Sequence, residues 1–570
     1  MYDSAIATDM TQLFLKTKTA GYYMTLNPNQ LLYSQTLDNA AWTATTLTRT
    51  SGQTDPSAGT TAYTLTATSG NATLKQAVVL DGSFNRTFSI YLKRKTGTGT
   101  ISITVDGSTY EAVTIDTNWT RYDTTLAASG TVNPGVKITT SGDEVYAAWA
   151  QLEDGELAAY LANGASRYTM TQITDADYPS NTVRGCAFLD GRFFVMTPEG
   201  EIYQSALENV ASWSALEFIQ SQIESGEGIY LAKYQSYIVT LKDWSIEFFY
   251  DAANATGSIL SPVQNAAAQI GCAHDDSVKE VAGTIVWMGQ TRDGFGRGIF
   301  RLNGMSPEKI STPQVEKILD SDSLATIYSW SANVGSHLLY GVTLVTTGVT
   351  LVFDFSTQLW SFFTYLTSSG VNKTISAITA GGVVTATSHG YSDGDIVLLA
   401  STNTDFNGWH VVTTATTNTF QVQATGTAFS GSGTATKHTE SYFPVSASTR
   451  CNGKQYMQHA TNGSLYEFSQ DVYIDPIGAI AARIRTPKLD SGNAQPKVMA
   501  QAEIIGDKID STALLRHTDD DFATYSAFRP ADLSATRSRI RRLGDYSRRS
   551  FEILHVGNAL LRLEALEIDE

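Results

Sequence analysis

Gly185-Cys186-Ala187-Phe188-Leu189-Asp190-Gly191-Arg192-Phe193-Phe194-Val195 reads as a strand, a tight turn and a second strand, and it is the first of a series. Tyr234-Gln235-Ser236-Tyr237-Ile238-Val239, Val281-Ala282-Gly283-Thr284-Ile285-Val286-Trp287 and Gly335-Ser336-His337-Leu338-Leu339-Tyr340 follow it. The spacing is roughly 45 to 50 residues, a period that marks a propeller or an array. A second half recurs with the first: Pro198-Glu199-Gly200-Glu201-Ile202-Tyr203, Trp244-Ser245-Ile246-Glu247-Phe248-Phe249, Arg297-Gly298-Ile299-Phe300-Arg301-Leu302, Thr350-Leu351-Val352-Phe353-Asp354-Phe355 and Gly463-Ser464-Leu465-Tyr466-Glu467-Phe468. The expectation is an all-β chain built on propeller blades.

Two stretches break the period. Asn27 to Tyr160 is rich in Thr, Ser and Gly, alternates in the β manner and carries no helical period. It opens on Leu31-Leu32-Tyr33, contains the strand Arg86-Thr87-Phe88-Ser89-Ile90-Tyr91-Leu92-Lys93 and closes on Val145-Tyr146-Ala147-Ala148-Trp149-Ala150-Gln151-Leu152-Glu153. These residues resemble the jelly-roll, carbohydrate-binding-like modules of phage tail and tail-fibre proteins. Val371 to Thr439, with Phe406-Asn407-Gly408-Trp409-His410-Val411-Val412 inside it, resembles a small β-barrel module of phage tail proteins. Excising about 67 residues here cuts one gap in the repeat from about 115 to about 48, which restores the period. The expected organisation is therefore residues 1–26 as the start of the propeller, 27–160 an inserted jelly roll and 161–370 blades. Residues 371–439 are then a small inserted β domain, and 440–570 further blades with arginine-rich closing strands. Both insertions are expected on loops, where they are tolerated.

Composition bounds the function. With 42% hydrophobic and 17% charged residues the chain is globular, not disordered. It has no long apolar run and no signal-peptide pattern after Met1-Tyr2-Asp3-Ser4, so the reading is a chain made in the cytoplasm without membrane insertion. Cys186, Cys272 and Cys451 are far apart and lack metal-ligand spacing, and they read as small packing residues. A formal charge of −17 argues against a sequence-reading DNA binder, which carries a basic footprint, and suits a wall that DNA slides past.

Few residues offer chemistry. There is no His-Glu-x-x-His helix, phosphate loop or dinucleotide fingerprint, and no catalytic, cofactor or metal residue is assigned. His274-Asp275-Asp276 reads as a polar turn in preference to a metal or acid–base cluster. Thr518-Asp519-Asp520-Asp521-Phe522-Ala523-Thr524-Tyr525 resembles the Asp-box hairpin of sialidase-like propellers, with Phe522 where that motif has glycine. A turn is preferred there over calcium, which needs ligands spaced into a cage. Arg537, Arg539, Arg541, Arg542, Arg548 and Arg549, with Arg529 nearby, concentrate positive charge in an acidic chain. They are candidates for contact with a neighbouring copy, the preferred reading, or with DNA phosphates. Trp42, Trp119, Tyr146 and Trp149 are candidates for stacking on sugar rings, with a core role preferred.

Val183-Arg184-Gly185-Cys186-Ala187-Phe188-Leu189-Asp190-Gly191, Ile299-Phe300-Arg301-Leu302-Asn303-Gly304 with Ile310-Ser311-Thr312-Pro313-Gln314-Val315, and Ile540-Arg541-Arg542-Leu543-Gly544 with Phe551-Glu552-Ile553 resemble the packaged-DNA stabilisation family of short-tailed phages. The resemblance implies a virion protein of the phage tail, a hub or nozzle forming a homohexameric ring below the portal adaptor protein. It implies further partners: double-stranded DNA passing through the channel, a tail needle or plug that closes it, and tail fibres or tailspikes outside. Two other classes compete with it. One is a receptor-binding fibre recognising surface glycans, suggested by the jelly roll, and the other a glycan-degrading propeller enzyme, suggested by the Asp-box-like turn.

Overall fold

In the computed structural model, residues 3–6, 12–294, 296–476, 478–490, 492–493 and 495–569 are described. The repeat appears as antiparallel sheets that follow one another along the chain. The first joins Asp3–Ile6, Gln12–Lys16, Gly21–Leu26 and Tyr168–Gln172; the second, Ala187–Leu189, Arg192–Met196, Glu201–Ala206 and Asn209–Gln220. The third runs Gly228–Tyr234, Tyr237–Lys242, Ile246–Asp251, Leu260–Pro262. The fourth is centred on Thr284–Gln290, Arg297–Asn303 and Ser306–Lys309. The fifth runs Ile327–Val334, His337–Leu344, Val349–Asp354, Leu359–Ile378. A sixth has three strands, Val445–Cys451, Lys454–His459 and Leu465–Phe468. The fold is all-β, a propeller-type series of blades with further β domains inserted.

Turn chemistry explains why the repeat was so visible. Leu189 pairs with Arg192, Val281 with Thr284 and Cys451 with Lys454, so each hairpin has a two-residue loop. Asp190-Gly191, Ala282-Gly283 and Asn452-Gly453 all have positive φ at both positions. That is the type I′ geometry that matches the twist of paired strands, and glycine adopts it at no steric cost. The inner strands Arg192–Met196, Tyr237–Lys242, Thr284–Gln290 and His337–Leu344 are apolar on both faces and largely buried. Phe194, Met196 and Ile202 of the second blade pack with Leu231, Ile238 and Phe249 of the third. Val286, Met288 and Ile299 of the fourth pack with Tyr340, Val342 and Leu351 of the fifth, sealed by Val315 and Leu319 of the helix Pro313–Ser321. Trp330 and Val352 of the fifth meet Val445 and Met457 of the sixth. Among the described residues no helix is long and apolar enough to cross a membrane.

The chain divides into two compact units. One comprises Met1–Gln222, Leu231–Thr240 and Phe249–Val263; the other comprises Ile223–Tyr230, Leu241–Phe248 and Gln264–Glu570. In the first unit a sandwich of two five-stranded sheets is inserted in the first blade. Its strand order, with Val78–Thr96 between Thr120–Val132 and Glu144–Asp154, is non-sequential, as a jelly roll requires, and Leu65, Phe88, Ile90, Leu92, Ile103 and Val145 lie in its core. The chain leaves after Leu26 and returns at Tyr168, and these two residues pair directly. The insertion thus replaces a hairpin loop whose ends are already side by side.

In the second unit the smaller module does not hang from a loop as expected. Leu359–Ile378 pairs with Val349–Asp354 at one end and with Phe429–Tyr442 over the rest of its length, so the module is a continuation of the fifth blade's outer strand. Its own core contains Ile375, Tyr391, Phe406, Phe420 and Ala435. The segment from Ile480 onward also departs from expectation, since it is no blade. Ile480–Arg485, Ser550–Gly557, Thr512–Thr518 and Arg529–Asp532 form one sheet, in that order; Ser538–Tyr546, Lys497–Gly506 and Leu563–Asp569 form another. Met499, Ile504, Leu515, Ile540, Phe551 and Ile553 share a core between them. Period-2 alternation is the same in a blade and in a sandwich, and only the long-range partners tell them apart.

The turn geometry is testable at Ala282-Gly283. A Cβ on Gly283 would meet nothing within 4 Å, so the cost of Gly283→Val is conformational alone, and about 1–2 kcal/mol of stability should be lost. Ala282→Asn, which tolerates φ of 54°, should be neutral or stabilising. Thermal unfolding of the two variants checks this, and equal losses would contradict it.

Candidate functional site

The arginine-rich closing strands separate into two groups. Arg549 is buried, with a side chain 2% exposed. Its Nε and Nη2 both donate to Asp519 at 2.8 Å, and further donations reach the Leu543 and Asp545 carbonyls. Such a bidentate fork is structural cement, so Arg549 is removed from the contact candidates. Arg539 donates to Glu503 at 2.7 Å and Arg537 lies 3.8 Å from the same carboxylate. Arg541, Arg542 and Arg548 are exposed and make no ion pair among the described residues. Arg541 and Arg542 follow one another where φ at Arg542 is +60°, a local irregularity that matches the register shift between Met499 and Gln501 on the paired strand.

A second cationic centre was not among the sequence candidates. Glu552 lies in the apolar run Phe551-Glu552-Ile553-Leu554 with its side chain 0% exposed. It accepts from Arg483 at 2.9 Å, from Arg485 at 2.8 Å and from Arg516 at 2.8 Å. Arg483 also reaches Glu440 of the small module at 3.0 Å, and the Arg516 guanidinium stacks 3.6 Å from the Tyr525 ring centroid. Burial by itself would raise the Glu552 carboxyl, but the Arg485 hydrogen bond and the charges of Arg483 and Arg516 hold it below the usual range. A glutamate inside an otherwise apolar strand is the one sequence signal that could have found this centre, because such residues are rarely buried unpaired. Its partners lie too far along the chain to be read.

The aspartates and histidine set aside as turns are used locally. Asp519 holds Arg549 and Asp521 pairs with Lys488. Asp520 accepts from the Thr524 backbone and hydroxyl and from the Thr518 hydroxyl, which lowers its carboxyl to about 2. Three consecutive carboxylates thus serve three different partners. Asp521 and Phe522 both take positive φ, so Phe522 adopts the conformation glycine would favour. The His274, Asp275 and Asp276 ligand atoms lie within 4.8 Å of one another, but His274 Nδ1 already accepts the Asp276 backbone amide at 3.1 Å as the cap of a short 3₁₀ turn.

The aromatic candidates also divide. Trp42 is 2% exposed in the sandwich core, its indole donating to the Tyr33 carbonyl, so it is removed as a stacking surface. Trp149, at φ +55° in a bulge, stacks on Tyr160 with centroids 5.4 Å apart and planes 8° apart. Burial raises the Tyr160 phenol to about 12. Tyr160 belongs to the segment running from 155 to 164, which lies on the polar face of the sheet containing Ser89, Tyr91 and Arg121. There Arg121 donates to the Ala158 carbonyl, Gln151 to the Ala159 carbonyl and Asn29 to the Leu161 carbonyl. The chain itself therefore covers this part of the face. Trp119 and Tyr146, 6.3 Å apart, remain partly exposed beside Lys93 and Lys95.

The buried centre gives a prediction with a sign. The depressed Glu552 carboxyl contributes stability above its unfolded value, about pH 4.3, and loses it as pH falls through the folded value. Glu552→Gln removes the buried anion shared by three guanidiniums, of which Arg483 alone keeps a second carboxylate in Glu440, and should cost about 3 kcal/mol at pH 7. The gap from wild type should narrow below about pH 4, as denaturation midpoints across pH would show. A gap independent of pH would contradict the assignment.

No curated protein matches the chain. Among solved structures, the C-terminal CBM6 of LamC from Zobellia galactanivorans is similar at 13% identity over 20% of this chain and 91% of that one, with a TM-score of 0.16. BamB from Moraxella catarrhalis is similar at 13% identity over 50% of this chain and 82% of that one, with a TM-score of 0.22. Sqt1 from Saccharomyces cerevisiae is similar at 13% identity over 56% and 81%, with a TM-score of 0.25. A family model described as Phage_stabilise, Bacteriophage P22 Gp10, beta-propeller, matches residues 117–394, slightly less than half of the chain and including the second to fourth blades. Over that region the chain is similar to the Bacteriophage P22 Gp10 β-propeller family, a match that supports a structural phage protein.

Proposed function

We propose that this chain is a structural component of a phage virion, a wall subunit of the tail nozzle through which DNA passes. The family match over the blade-bearing residues 117–394 is the observation that carries the reading. The charge supports it: a ring of copies each at −17 repels a DNA backbone wherever part of that charge faces the bore, so DNA slides without adhering. The same ring retains packaged DNA when a needle or plug closes it. Its upper face meets the portal adaptor and its outer surface carries the inserted modules toward fibres or spikes.

Copies that repel one another need local cationic contacts, and in a ring one patch meets a different patch of the next copy. Arg541, Arg542 and Arg548 are exposed and unpaired among the described residues, so they are suited to that task. They point to acidic surface on the adjoining copy in preference to DNA, because binding of DNA by the wall would oppose its passage.

Arg541→Glu/Arg542→Glu in one chain should leave thermal unfolding nearly unchanged, since both side chains are exposed, while incorporation into particles falls sharply. Immunoblots of purified particles measure this, and wild-type incorporation of a normally folded double variant would refute the assignment.

A further inference from the structure

Among the described residues the sixth blade has three strands and no fourth. The first three blades have four strands each, the fourth and fifth at least four, but Val445–Cys451, Lys454–His459 and Leu465–Phe468 stand alone. Leu465–Phe468 is therefore an open edge, with backbone groups facing outward that no strand of the described chain uses. Beyond it, where a fourth strand would lie, the chain runs through Val472 and Ile474, which are 53% and 49% exposed, while Leu465 on the edge itself is 62% exposed. A cavity of about 420 Å³ opens between the edge and this segment, lined by Tyr365, Phe443, Met457, Phe468, Val472 and Ile480 among others.

One polar feature breaks the apolar lining. The Asp475 carboxylate borders the cavity and has no hydrogen-bond or ion-pair partner among the described residues; its backbone alone is bonded, to Gly478. Burial raises this carboxyl to about 6, and its charge in turn helps raise the Tyr365 phenol. The other titratable groups lining the cavity supply no countercharge. His459 is pushed toward its neutral form by burial, and Glu467 is an anion already paired with Lys454 at 2.9 Å. An apolar trough with an uncompensated carboxylate, beside an unpaired strand edge, selects its occupant by three independent properties: extended backbone, apolar side chains and positive charge.

We propose that the open edge of Leu465–Phe468 and the adjoining cavity form a docking slot for an extended apolar segment of a partner protein, which adds as the missing fourth strand and places one basic side chain against Asp475. Main-chain hydrogen bonds supply the register, alternate side chains enter the trough, and the ion pair fixes direction. With 56 acidic against 39 basic residues, this chain presents a surface better matched to a basic partner than to itself.

The test uses the full-length chain and a fluorescent octapeptide of alternating valine and threonine with one central lysine, followed by fluorescence anisotropy. Saturable binding is expected. It should weaken at least about tenfold when the peptide lysine is replaced by glutamate, when the protein carries Asp475→Asn, or when alternate peptide amides are N-methylated. Val472→Glu, at an exposed position on the rim, should weaken binding without altering thermal unfolding and so guards against misfolding of the Asp475 variant. No saturable binding, or binding indifferent to Asp475→Asn and to the peptide charge, would overturn the proposal. Self-association of the chain that Asp475→Asn abolishes would overturn it in favour of a second copy as the occupant.

Discussion

The inner strands of the second to fifth blades are buried almost throughout, so these blades depend on apolar cover from outside their own sheets, and the other features are fitted around that requirement. Phe194 and Met196 need Leu231 and Phe249; Tyr340 and Val342 need Val286 and Met288. The constraint fixes where extra sequence can enter. The large sandwich sits between Leu26 and Tyr168, residues already paired across the first blade. The small module extends the fifth blade's outer strand, where Asp354 pairs with Leu359 close to the blade and Ile378 with Phe429 far along the same strand. In both places blade pairing is untouched and the inserted residues build separate cores, the first around Phe88 and Ile90, the second around Phe406 and Phe420. Stability then resides in local interfaces, as in other arrays of repeated units.

Charge is organised by the same logic. In a chain at −17, several arginines are nonetheless committed to pairs within the fold. Arg483, Arg485 and Arg516 neutralise one buried glutamate, and Arg549 ties Asp519 to two carbonyls. These clusters hold the C-terminal sandwich together and, through Glu440, the small module to it. What remains outside is a small set of exposed arginines in an acidic envelope. This distribution is compatible with the proposed ring subunit, which would repel a polyanion and grip its neighbour.

The blades were legible because the turns are. Asp190-Gly191 between apolar runs is a strong hairpin signal, and the recurrence of such strand–turn–strand units at Tyr234, Val281 and Gly335 set the period. The sandwich at the C-terminus was not legible as such, since Ile540, Phe551 and Ile553 alternate like blade residues and only pairing with Lys497–Gly506 and Thr512–Thr518 distinguishes them. The candidate sites were legible by type and not by fate. Arg541 and Arg549 look alike in the sequence, yet one is exposed and the other buried, because Asp519 lies 30 positions away in a turn whose geometry depends on Phe522 at positive φ. Trp149 was readable as a stacking candidate with a core role preferred, but its partner Tyr160, eleven positions on in an irregular segment, was not. The open edge at Leu465–Phe468 left no trace in the sequence, because a fourth strand absent among the described residues has no residues to read.

The central claim is that this chain forms the wall of the tail channel, and imaging intact particles by electron cryo-microscopy with the chain located by its two inserted modules tests it most directly. The account predicts copies arranged as a six-membered ring on the tail axis, with DNA or an open bore at the centre and the modules outside. Copies found as trimers at the periphery of the tail, or absent from the particle, would contradict it.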